Sequence, residues 1–258
     1  MSKSVILMGT AVFVLGLAAS CYAGSIGPVE PLGAMKVRLD GEYNGIFDRD
    51  IDSSGAMTGG EIQESHQGYA KLAVGINDWA NVYAKLGVAN LEQKLNWNVP
   101  SSYTIEYEYG PLWGIGGNAL HNFGNNFGIG TDVQFNMWFT DADSISGTNS
   151  PTFINKGSLK NWDFQTALYV TYTYEVGAEY KIIPYAGGYY SNFQADIDDT
   201  IRYQDSGGTQ YTVGDSEAED NLGILVGMNV QFSENMAFNL EGRFIAETAA
   251  TVGASYKF

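Results

Sequence analysis

From Val37 onward the chain repeats one pattern, with apolar residues at every second position and small, polar or charged residues between them. Side chains alternate faces along an extended strand, so a period of two marks a strand with one apolar and one polar face. In residues 36–47, Val37, Leu39, Tyr43 and Phe47 share one face, while Lys36, Arg38, Asp40, Glu42 and Asn44 share the other. In 67–76, Ala70, Leu72, Val74 and Ile76 oppose Tyr69, Lys71 and Ala73. In 79–90, Val82, Ala84, Leu86 and Val88 oppose Tyr83, Lys85 and Gly87. The clearest run is 127–139, where Phe127, Ile129, Val133, Phe135, Met137 and Phe139 oppose Asp132, Gln134, Asn136 and Trp138. Six more runs complete the set: 109–120, glycine-rich and ambiguous in its facing, then 162–174, 179–192, 221–232, 236–244 and 249–258. Pro184 in the seventh run predicts a local break in a strand ladder, because proline has no N–H to donate.

The connections between these runs alternate in length. Long polar stretches at 48–64, 91–108, 140–161 and 193–220 alternate with short turns at Asn77-Asp78, 121–126, 175–178 and 233–235; the last connection, 245–248, is short. Tilted strands of about 9–11 residues are long enough to cross a bilayer. Membrane barrels combine short periplasmic turns with longer outer loops. The pattern therefore predicts an all-β fold, a transmembrane antiparallel up-and-down β-barrel of ten strands occupying 34–258. Aromatic residues near run ends, such as Tyr109, Trp162 and Phe232, suit the two membrane interfaces. A soluble sandwich or barrel would instead turn the apolar face inward and the charges outward.

Composition refines this. The 258 residues include 32 glycines and 17 tyrosines. Mean hydropathy is only −0.13, as expected when lipid-facing and lumen-facing residues alternate. Acidic residues outnumber basic ones 29 to 13, for a net charge of −16, which argues against nucleic acid as a partner. Lys3, an apolar stretch from Val5 to Ala19, and the small-residue pattern Cys21-Tyr22-Ala23 predict a signal peptide at 1–23, cleaved before Gly24. The alternative is a lipoprotein signal acylated at Cys21, but Ala18 stands where a larger aliphatic residue is usual. Residues 24–33 then form a short periplasmic leader.

The closing run ends Tyr256-Lys257-Phe258, with Ala250, Val252, Ala254, Tyr256 and Phe258 on one face. It resembles the closing strand of bacterial outer-membrane β-barrels. The stretch from Gly75 to Gly87, Gly-Ile-Asn-Asp-Trp-Ala-Asn-Val-Tyr-Ala-Lys-Leu-Gly, resembles a strand–turn–strand of small Gram-negative outer-membrane barrel proteins. The resemblance implies an outer-membrane location, contact with outer-membrane lipid, and recognition of Tyr256 and Phe258 by the barrel-assembly machinery. It covers the mature chain in architecture and specifies no activity.

Candidate chemistry is sparse. Of the two histidines, His121 falls in a predicted periplasmic turn, and His66 has no aspartate at dyad spacing. A non-enzymatic protein without a cofactor is expected. Asp48, Asp50 and Asp52 begin like a calcium loop, but Ser53 stands where its glycine belongs and Glu61 lies two residues past the final ligand position. Loose divalent-cation binding at the acidic loops is the most the sequence supports. The predicted lumen carries six cations (Lys36, Arg38, Lys71, Lys85, Arg243, Lys257) against five anions (Asp40, Glu42, Asp132, Asp163, Glu241). That near balance predicts pairing across a lumen filled by side chains. The acidic excess then lies outside, on the loops. The expected role is structural or surface interaction with an extracellular partner, and the alternative is a narrow channel for small solutes or ions.

Overall fold

The computed structural model describes residues 25–54, 57–97, 102–176 and 180–258. The expected signal peptide, its cleavage site and part of the 175–178 turn lie outside the described residues. Ten antiparallel strands form a closed ring: β1 Val37–Ser53, β2 Met57–Gly75, β3 Ala80–Trp97, β4 Ser102–Asn122, β5 Phe127–Gly147, β6 Ser158–Tyr172, β7 Lys181–Asp199, β8 Leu222–Gln231, β9 Met236–Phe244 and β10 Thr248–Lys257. Each pairs with the next, and β10 closes onto β1 from Arg38↔Lys257 to Asp48↔Thr248.

Strand length divides the barrel into two storeys. β8, β9 and β10 have 10, 9 and 10 residues, enough for one membrane crossing. β4 and β5 have 21 each, about twice that need. The stretches expected as long outer loops are therefore corrected: at 48–64, 91–108 and 140–161 most of the described residues continue the strands, whereas at 193–220 only the first seven do and the rest forms connections and short separate strands. Above the three short strands the wall would gape. The short strand Ser216–Ala218 fills the gap, pairing with β1 on one side (Ile51↔Ala218) and β7 on the other (Ser216↔Ala195). A small three-stranded sheet, Thr152–Asn155, Arg202–Gln204 and Gln210–Thr212, caps this end.

The storeys have opposite polarity. In the lower one Leu72, Leu86, Ile115, Leu168 and Leu222 point outward and are more than half exposed, as a lipid-facing band requires. In the upper one the outward face carries Asp50, Glu106, Glu108, Asp141 and Asp143, all exposed. Its inward face carries Ile51, Ile62, Leu95, Tyr103, Ile105, Trp138 and Phe193, buried in one cluster. β-Bulges help make the switch. The register of β1 against β10 shifts between Ile46 and Asp48, so inward positions change from even (Glu42, Asn44) to odd (Arg49, Ile51). An extra residue in one strand turns the following side chains to the other face. β4 shifts between Tyr107 and Leu112, which also settles its ambiguous facing: Leu112, Asn118 and Leu120 point in, and Trp113 and Ile115 point out.

Two local features follow from residue chemistry. Pro184 pairs with Met228 of β8, while the ladder to β6 stops at Thr171↔Tyr185 and resumes at Tyr174↔Ile182. The expected break is present on that side. Inward tyrosines lie over glycines of neighbouring strands. A Cβ on Gly116 would stand 2.6 Å from Tyr83 Cζ, closer than carbon atoms approach, so the glycine is what lets the ring lie flat across the wall.

Candidate functional site

The lower lumen gathers most of the predicted charges. Arg38, Asp40, Glu42, Lys71, Lys85, Asp132, Glu241 and Arg243 are all buried there. Arg38 Nε donates to Asp40 at 2.8 Å. Lys71 forms a close ion pair with Glu42 and lies 3.7 Å from Asp40. Lys85 donates to Gln134 and lies 4.7 Å from the Tyr69 ring centroid. Three carboxylates each accept a tyrosine hydroxyl: Glu42 from Tyr69 at 2.9 Å, Asp132 from Tyr83 at 2.8 Å, and Glu241 from Tyr185 at 2.9 Å. Tyr83 on β3 crosses Gly116 of β4 to reach β5, and Tyr185 on β7 crosses Gly227 of β8 to reach β9. Buried charge is costly unless paired or hydrogen-bonded: Arg38, Asp40, Glu42 and Lys71 form ion pairs, while Lys85, Asp132 and Glu241 are held by hydrogen bonds with neutral groups.

Two predicted lumen cations lie elsewhere. Lys36 precedes β1 and is exposed, and Lys257 is half-buried at the lower mouth. Strand ends are where the inward face opens to solvent, so strict alternation overextends the lumen there.

A second charged layer crosses the lumen just below the apolar core. Arg49, turned inward beyond the β1 bulge, contacts Glu247 at 3.2 Å, Asp163 at 3.8 Å and Ser191 Oγ at 3.0 Å. Arg243 Nε meets the other Glu247 oxygen at 3.3 Å and its guanidinium donates to Gln165. Arg49 also lies 5.2 Å from the Phe193 ring centroid, so the layer rests directly against the core. Sequence reasoning placed Asp163 and Arg243 inward but missed Arg49 and Glu247. Arg49 falls after the phase change. Glu247 lies in the connection between β9 and β10, where Ile245 takes a positive φ of 84° and the next two residues fold into the lumen. A cavity of about 10 Å³ lies among Arg49, Trp138, Arg243 and Glu247, room for about one water molecule.

The leader 24–33 was expected beneath the barrel, but its described part runs inside the lower lumen. Ile26, Val29 and Leu32 are buried. Ile26 N donates to Glu241 at 3.2 Å, and Leu32 N to Asn81 Oδ1 at 3.0 Å. Asn239 donates to Ser25 Oγ at 2.9 Å, and Glu30 pairs with Lys181 at 3.3 Å. No alternation marks this segment in the sequence.

On the outer surface Asp48 and Asp50 of β1 approach Glu61 of β2, their oxygens within 4.8 Å of one another; Asp52 is not among them. The grouping arises from cross-strand pairing, Asp50↔Glu61, and not from a calcium loop. Partial burial, with Asp50 and Glu61 alongside, raises the pKa of Asp48. His66 stands on β2 with its ring bonded to Tyr43 and Glu64. At the lower rim Tyr256 and Phe258 are exposed, with ring centroids 5.0 Å apart. The Phe258 amide donates to Val37 at 2.9 Å.

No family model and no curated protein match the chain. Among solved structures it is similar to the β domain of the Bordetella autotransporter BrkA, at 11% identity and a TM-score of 0.46, over 88% of this chain and 99% of that one. It is also similar to the outer-membrane protein OprG of Pseudomonas aeruginosa, at 10% identity and a TM-score of 0.41, over 89% and 99%. A mutant of the monoaromatic hydrocarbon channel TodX matches at 10% identity and a TM-score of 0.36, over 93% and 73%. These neighbours are outer-membrane β-barrels.

Proposed function

We propose that this protein is an integral outer-membrane barrel that works through its acidic outer surface, with a lumen closed to through-passage. The observation that supports this reading best is the inverted upper storey. Its walls face water with carboxylates, and its interior is an apolar core that seals the barrel above the charged layer. The polar lower lumen favours the second reading, a narrow channel for small solutes or ions, but the core and the buried 25–32 segment both lie across that path. We read the protein as non-enzymatic; His66 and His121 stand at different levels of the wall.

A surface partner must then be cationic, or bridged by cations. Glu106, Glu108, Asp141 and Asp143 share the outward face of the β4–β5 hairpin and are exposed. Each exposed ion pair contributes roughly 0.2–1 kcal/mol, so changing these four to Gln or Asn should weaken binding of a fluorescent oligolysine probe by about tenfold. The measurement uses vesicles holding the protein at low ionic strength, and the difference should disappear in high salt. Identical binding by the two proteins at low salt would count against the surface reading.

A further inference from the structure

The lower lumen is two-sided. Its charged side comes mainly from β1, β2 and β3, with Asp40, Glu42, Lys71 and Lys85. The opposite side is apolar and aromatic, with Leu120, Tyr169, Ile183, Tyr185 and Leu225 in one buried cluster. Residues 25–32, Ser-Ile-Gly-Pro-Val-Glu-Pro-Leu, lie between them. Ile26 and Val29 join the apolar cluster, and Leu32 packs with Ala73 and Tyr83. Gly27, at φ 71°, passes hard against the Lys71–Glu42 pair, where a Cβ would collide with Lys71.

The polar contacts that hold this segment fall on its backbone and its two polar side chains. Glu241 and Asn81 accept the Ile26 and Leu32 amides, Gln134 donates to the Ser25 carbonyl at 3.5 Å, and Arg38 donates to the Glu30 carbonyl at 3.4 Å. Pro28 and Pro31 have no N–H to satisfy, which lowers the cost of burying extended chain. Buried groups from β1, β3, β5 and β9 thus converge on one stretch of peptide backbone, while an apolar wall receives its aliphatic side chains. Above, the Arg49–Glu247 layer and the core close the space. Below, it opens at a mouth with a cavity of about 40 Å³ beside Pro28, Glu30, Met236 and Lys257.

We propose that the lower lumen is a one-ended peptide-binding cleft, open toward the periplasmic end, and that residues 25–32 are a self-ligand occupying it in cis. Backbone-directed contacts leave most side chains free, but the third position is restricted to glycine, because a Cβ at Gly27 would collide with Lys71. The apolar wall selects aliphatic side chains at the second and fifth positions, and Lys181 selects a carboxylate at the sixth. The partner in trans is therefore an extended peptide of that pattern, entering from below when the self-ligand leaves. The cleft does not depend on the proposed role of the outer surface.

The test uses the full chain with Ser25→Cys in a Cys21→Ser background, refolded in detergent. A maleimide reagent should label the introduced thiol slowly in the folded barrel and fast after unfolding. A tethered segment competes at an effective concentration of order millimolar, so free octapeptide of sequence 25–32 at millimolar excess should accelerate labelling by about tenfold. A scrambled octapeptide should not. Fast labelling in the folded barrel would overturn the occupied cleft, and equal effects of native and scrambled peptide, or no effect of either, would overturn exchange. Val29→Asp, which sets a carboxylate against the apolar wall, should expel the segment and allow saturable binding of the fluorescent native octapeptide. A folded Val29→Asp barrel that takes up no peptide would also reject the proposal. Should that variant fail to fold, the thiol measurements on the Ser25→Cys chain decide alone.

Discussion

Replacing Arg49 by alanine should destabilise the barrel by roughly 3–5 kcal/mol, the cost of removing one partner from a buried ion pair. The Arg49 side chain is 1% exposed and faces two carboxylates, Asp163 and Glu247. Glu247 keeps Arg243 after the change, but Asp163 loses its nearest cation and keeps the Ser191 hydroxyl at 2.6 Å. Arg49→Lys should fall between wild type and alanine. A lysine keeps the charge but cannot present the planar fork that reaches Glu247 and Ser191 together. Urea unfolding in lipid vesicles, followed by tryptophan fluorescence, measures both variants. A loss below about 1 kcal/mol for Arg49→Ala would place it in the range of a solvated surface pair and refute the buried layer.

The second large effect is expected at Trp138. The ring is 1% exposed, in the core above the layer, with its centroid 5.8 Å from that of Phe193. Truncating a buried Trp to Ala costs about 3–5 kcal/mol through lost burial and the cavity left behind. Trp162 tests the opposite face. It lies outward at the top of the lipid band, partly exposed, and Trp162→Ala should cost less. If the two losses were equal, or Trp138→Ala were silent, the upper storey would have no packed interior. The same unfolding assay applies, with fluorescence from the remaining tryptophans.

The membrane storey was legible in the sequence because its alternation keeps one phase. Val82, Ala84, Leu86 and Val88 face out and Tyr83 and Lys85 face in, as the period of two requires. The upper storey was not legible for the same physical reason read in reverse. Water outside and core inside invert the polarity, and the bulges in β1 and β4 shift the phase, so a reading with fixed phase loses the strand at Asp48 and returns a loop. A search for alternation of either phase would have found Arg49, Ile51 and Ser53 on one face against Asp48, Asp50 and Asp52 on the other. Glu247 carries no such signal, because it lies in a three-residue connection shaped by the positive φ of Ile245. Nor does the buried segment, since Ile26, Val29 and Leu32 recur at a spacing of three rather than two, and only the folded lumen brings Glu241 and Asn81 to the Ile26 and Leu32 amides. The sequence expectation for the lumen was near-balanced charge in a narrow barrel, and the tyrosine partners were not part of it. Their signal was the abundance of inward glycines beside tyrosines, which looked like strand composition and proved to be space for rings crossing the wall.

Closure of the lumen is the central claim, and single-channel recording tests it most directly. Purified full-length protein in a planar bilayer should show no steady open level, because the buried apolar core of the upper storey and the Arg49–Glu247 layer lie across the lumen. The Arg49→Ala variant should show at most brief, irregular openings, since the core above the layer remains. A large, steady conductance from the wild-type protein, unchanged by Arg49→Ala, would contradict the closed barrel and establish the narrow channel in its place.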